Sequence, residues 1–103
     1  MIICSKPEAN GAFREFMLDD THDGREVHVK THLAHRTDGR VVADGGWTEA
    51  GVITRAPEGL KAAVAKPAHR GKPAFVSLDE LYTNEVAALQ AIAVNYTATQ
   101  LKN

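Results

Sequence analysis

Three histidines stand at the spacing H-x3-H-x2-H: His28, His32 and His35. Imidazole ligates divalent metals through a ring nitrogen, and on a helix this spacing would set the rings on one face, a workable arrangement for zinc. On a strand the side chains alternate, so His28 and His32 share a face and His35 points to the other. A metal centre on His28 and His32 then needs partners from a neighbouring strand or from His22, Asp20 and Asp23. A small metal-dependent enzyme is the chemistry that would follow. The plainer reading is a solvated strand face of His28, Lys30 and His32.

The acidic run Asp19, Asp20, His22 and Asp23 holds enough oxygens for a hard cation, yet lacks the D-x-D-x-D-G order of a calcium loop. A charged turn accounts for it. Cys4 is the one cysteine. It would act as a nucleophile only beside a base, and no local signature surrounds it. A free thiol is ordinarily a small buried hydrophobe. The chain has no G-x-S-x-G elbow, no G-x-x-x-x-G-K-[ST] loop and no G-x-G-x-x-G fingerprint. These absences argue against a conventional hydrolase or nucleotide-binding fold. No catalytic residue is assigned and no cofactor is expected.

The cations gather in the middle of the chain. Residues 25–72 carry nine Lys or Arg against five Asp or Glu, whereas both ends are acidic and the whole chain has a net charge of −1. His69, Arg70 and Lys72 lie on a loop bracketed by Pro67 and Pro73 and suit phosphate contacts, with Lys30, Arg36 and Arg40 extending the patch. A sheet that binds single strands also needs stacking platforms. Trp47 and Phe13 are the aromatics at hand. Trp47 reads first as core packing beneath a helix; exposed, it becomes an interface anchor.

These residues need elements to hold them. Met1 to Cys4 reads as a first strand, and Pro7 with Asn10-Gly11 as a turn. Ser5-Lys6-Pro7-Glu8 also has capping-box form, so a helix to Leu18 competes with strands there. Glu26 to Leu33 alternates, with Val27, Val29, Thr31 and Leu33 on one face. Asp38-Gly39 predicts a hairpin turn into Val41–Asp44. Gly45-Gly46 predicts another turn, and Trp47 to Arg55 a further strand. Pro57-Glu58 suits a first helical turn, so a short helix is expected near 57–66, ended by Pro67. Ala74 to Val76 adds a short strand. Ser77-Leu78-Asp79-Glu80 is a second capping box, with Thr83 an alternative start for a long helix to Leu101. Tyr82, Val86, Leu89, Ile92, Ala93 and Tyr96 form its apolar stripe.

The expectation is therefore one α+β domain over residues 1–103: an antiparallel meander of about four to five strands packed against a long C-terminal amphipathic helix. No apolar run approaches the roughly 18 residues of a membrane span. The start has no signal-peptide pattern and a lone cysteine fits a reducing compartment, so the expected location is cytoplasmic. This outline of meander and Ala-rich helix is similar in architecture and length to many short proteins. Some of those are encoded by phages and mobile elements, anti-CRISPR and other anti-defence inhibitors among them. The function expected first is a non-enzymatic module that docks a protein partner through a sheet edge or a charged face, a homodimer being compatible with that. The binding residues singled out are Lys30, Arg36, Arg40, Trp47, His69, Arg70, Lys72, Asp19, Asp20 and Asp23. The alternatives are a nucleic-acid-binding accessory protein using residues 25–72 and the metal enzyme of His28 and His32.

Overall fold

A computed structural model describes residues 2–20, 24–66 and 74–96. Among them the chain forms seven strands: β1 (Ile2–Pro7), β2 (Phe13–Asp20), β3 (Glu26–Thr37), β4 (Arg40–Ala43), β5 (Thr48–Ala56), β6 (Gly59–Lys66) and β7 (Ala74–Tyr82). One helix follows, α1 (Glu85–Asn95). The strands join into one curled antiparallel sheet in the order β1-β2-β3-β5-β6-β7, and β4 pairs with the far end of β3.

This corrects the expected architecture. The chain is mostly β, and its helix is 11 residues long. The short helix expected near 57–66 is the β5–β6 turn and strand β6. The helix expected to start at Ser77 or Thr83 starts after Asn84, whose side chain accepts from the Ala87 amide at 2.8 Å. Residues 77–82 are strand. The competing helix over 5–18 is also absent, its place taken by β1, a short turn and β2. The likeness to short phage-encoded proteins rests on a long-helix outline that this chain does not adopt.

The alternation in β3 holds from Glu26 to Thr31, and breaks at His32, which is buried while Leu33 is half-buried. Val27, Val29 and Thr31 are buried beneath α1's side of the sheet, while His28 and Lys30 are partly exposed on the other. Asp38 and Gly39 both have positive φ (54° and 77°), as a type I′ hairpin demands. The core joins Phe16, Val27, Val29, Ala50, Ile53, Ala62 and Val64 of the sheet to Ala88, Leu89, Ile92 and Ala93 of α1. Each large side chain there stabilises the fold by roughly 1.5–3 kcal/mol as an upper estimate.

Small residues let the helix approach. A Cβ on Gly51 would stand 2.5 Å from the Ala63 carbonyl oxygen and 2.8 Å from Ile92 Cγ2. Ala62 is likewise buried against the helix on β6. Of the alanines that suggest a helix over 57–66, Ala62 belongs to the small surface on which α1 lies, while Ala63 and Ala65 alternate to the other face. Tertiary packing overrides their propensity.

Both ends of α1 are tied to the sheet. Lys6 Nζ donates to the carbonyls of Ala93 (2.9 Å) and Tyr96 (3.1 Å), a cation at the negative end of the helix dipole. At the other end Arg55 bonds Glu85 and Asp20 and also donates to the Gly24 carbonyl. No described helix is long and apolar enough to cross a membrane.

Candidate functional site

The face of the sheet away from α1 carries the histidines. Its geometry follows from strand register. Glu15 of β2 lies directly opposite His32 of β3, and His32 Nε2 donates to Glu15 Oε1 at 2.7 Å. A bulge in β5 places Ala50 in the core and Glu49 on the outer face opposite Lys30. Glu49 accepts from His28 Nδ1 and lies 3.3 Å from Lys30 Nζ. His28 Nε2 stands 3.6 Å from Glu26. His28 and His32 therefore share a face, as alternation requires, but each has its own carboxylates. Among the described residues no group of three or more His, Cys, Asp or Glu is placed to hold a metal ion.

The same face gathers both aromatics of interest. Trp47 is not beneath the helix; it is 38% exposed and stacks on His32. Arg36 places its guanidinium 5.3 Å from the centre of the Phe13 ring. His35 lies on the opposite face, as alternation predicts, and pairs with Asp44 at 2.7 Å. Arg40 stands exposed on β4 beside Val41 and Val42, which are exposed as well.

Other sequence candidates disperse. Asp19 lies next to last in β2, opposite His28, while Asp20, its last residue, turns to Arg55 at 3.1 Å. Asp23, His69, Arg70 and Lys72 lie outside the described residues, as does His22. The described cations of the basic middle are largely engaged: Lys30 with Glu49, Arg55 with Glu85 and Asp20, Lys61 with Glu58 at 3.4 Å. Arg55 is held more firmly protonated by its hydrogen bonds to Glu85 and Asp20. The Glu58 carboxyl is pulled below its ordinary range by its own backbone amide and then by Lys61. Burial pushes the Cys4 thiol up, away from the reactive thiolate. Cys4 lines a groove of about 460 Å³ between β1 and α1, with Lys6, Gln90, Ala93 and Val94.

Compared with protein-family models, curated proteins and solved structures, the chain matches none of them.

One feature escaped the sequence candidates. Strand β7 is nine residues long and, among the described residues, pairs with β6 alone, leaving its other edge without a described strand. It is exposed at every position except Leu78 and Tyr82, which are half-buried. Phe75, Val76 and Leu81 are 45%, 48% and 50% exposed. Phe75 pairs with Ala65 and Leu81 with Lys61 on the helix-free side; Val76 pairs with Val64 on the helix side. Both faces of the strand thus offer apolar surface beside an unpaired backbone. The signal in the sequence was Ala74-Phe75-Val76, readable as strand. The capping-box pattern at Ser77 hid its continuation to Tyr82.

Proposed function

We propose that this chain is a non-enzymatic binding module that takes up a segment of a partner protein along the open edge of β7. The observation that carries this is the strand itself: long, apolar on both faces and, among the described residues, unpaired on one side. Natural sheets cover or break such edges, because each offers ready N–H and C=O groups to another chain. An added strand would satisfy those groups and cover Phe75, Val76 and Leu81.

The charge arrangement supports a protein partner over nucleic acid. Phosphate binding needs cations free to replace counterions. Lys30, Arg55 and Lys61 each already hold a carboxylate. Paired charges beside exposed apolar side chains suit a protein surface better.

The test compares two variants of the full chain in affinity capture with quantitative mass spectrometry. Phe75→Lys with Leu81→Lys spoils the edge; Val94→Lys alters a helix residue that is 76% exposed. A partner retained by the wild type and by Val94→Lys, lost with the edge variant, and protecting amides 74–82 from hydrogen exchange supports the reading. A partner that binds the edge variant as well as the wild type removes it.

A further inference from the structure

Strand β7 is not uniform along its length. Ala74, Phe75, Val76 and Ser77 pair in regular register with Lys66, Ala65, Val64 and Ala63. The register then shifts: Leu78, Asp79 and Glu80 stand opposite Ala62 alone before Leu81 meets Lys61. An edge strand that bulges and carries charge at the bulge has two devices against indiscriminate pairing. Asp79 and Glu80 are both exposed. Neither has an ion-pair partner among the described residues, since Lys61, the cation of the neighbouring strand, is held by Glu58. Glu80 is engaged by the Tyr82 phenol.

These carboxylates decide what can lie along the edge. A second copy in the antiparallel register that overlaps the whole strand would set Asp79 opposite Ser77 of its twin and diagonal to the twin's own Asp79. Like charges across a strand pair are destabilising, and here they would also lose water. A slipped register that avoids the bulge leaves only the short stretch Ala74–Ser77 to pair. A foreign strand bearing cations at that level gains charge-assisted hydrogen bonds where the twin is repelled.

We infer that β7 takes up an antiparallel extended segment from a different protein, with apolar or β-branched side chains beside Phe75 and Val76 and Lys or Arg beside Asp79 and Glu80. This rests on the reading of β7 as the docking edge and adds the chemistry of the occupant. Antiparallel addition puts the basic residues at the N-terminal end of the segment. All six neighbouring pairs in the sheet are antiparallel.

Three capped hexapeptide probes test it, each with alternating valine and threonine after two leading residues: lysines, glutamines or glutamates. Binding is read from amide chemical shifts of Ala74–Ser77 in the full chain, and self-association from sedimentation velocity. The lysine probe is expected to bind about tenfold more tightly than the glutamate probe at low salt. That gap should close at high salt and in Asp79→Asn with Glu80→Gln, while the wild type sediments as a monomer. Equal binding of all three probes overturns the basic-segment inference and leaves the edge reading standing. No shift at Ala74–Ser77 with any probe overturns both. A wild-type dimer that the double variant does not strengthen overturns the exclusion of a second copy.

Discussion

Trp47 lies flat on His32, with ring centroids 3.7 Å apart and 12° between the planes. The imidazole is fixed from its edge by Glu15, so the indole rests on a ring that cannot turn away. Aromatic stacking adds about 0.5–1.5 kcal/mol beyond area burial. Trp47→Ala should therefore cost only about 1–2 kcal/mol in urea denaturation, because the ring remains partly in water. Phe16→Ala, which empties a fully buried site, should cost about 3–5 kcal/mol. Equal losses would mean that Trp47 belongs to the core after all.

Gly51 meets a different constraint. Its φ is unexceptional, but a side chain has nowhere to go: the nearest atom is the backbone carbonyl of Ala63, which cannot swing aside. Gly51→Ala must push β6 or α1 outward. Overpacking of this kind costs about 1–3 kcal/mol, and the loss should appear as a lower thermal midpoint by circular dichroism. Gly46→Ala, in open space with an ordinary φ, is the control and should change little. A midpoint for Gly51→Ala as high as for Gly46→Ala would show that the helix does not press on β5 there.

The sequence was legible where local chemistry and the sheet agree. Asp38-Gly39 can turn only one way, and the β3 alternation sorts Val27 and Val29 from His28 and Lys30 without tertiary help. It misled where a local signal had no partner. Ser77-Leu78-Asp79-Glu80 has the residues of a capping box, but Ser77 pairs with Ala63 in the sheet, and Asn84 supplies the cap. The helix stripe was also misjudged at one end: Val86 is 43% exposed, while Ala88 takes a buried place. For the outer face, spacing alone gave the shared side of His28 and His32. It could not give their separate carboxylates, because Glu15 and Glu49 come from strands on either side and the Ala50 bulge sets the second.

Stability should decline at alkaline pH partly through Tyr82. Its phenol is pushed above its ordinary range, first by burial and then by Glu80. The folded state thus favours the neutral phenol. That contribution is fully present below the unfolded value of about 10 and is lost as pH rises through the higher folded value. Urea midpoints measured across this range should fall less steeply for Tyr82→Phe than for the wild type. Parallel declines would show that Tyr82 is not among the groups responsible.

The tie between Lys6 and the end of α1 predicts a local effect as well as a global one. The ammonium donates to two carbonyls at the helix end, that of Tyr96 and that of Ala93, which otherwise accepts only a long 3.4 Å bond from the Tyr96 amide among the described residues, and no cation lies in the last turn of the helix itself. Lys6→Met keeps the aliphatic stem against the groove but removes both bonds. The expected cost is about 1–2 kcal/mol, from lost charge-assisted hydrogen bonds and lost dipole stabilisation. Lys61→Met removes an exposed lysine that bridges only to Glu58 and should cost less than about 0.5 kcal/mol. Hydrogen exchange gives the sharper reading. Amides in the last turn of α1 should exchange faster in Lys6→Met, while those of β3 keep their wild-type protection until global unfolding. If Lys6→Met and Lys61→Met are equally stable and exchange alike at the helix end, the helix is held by its apolar face alone.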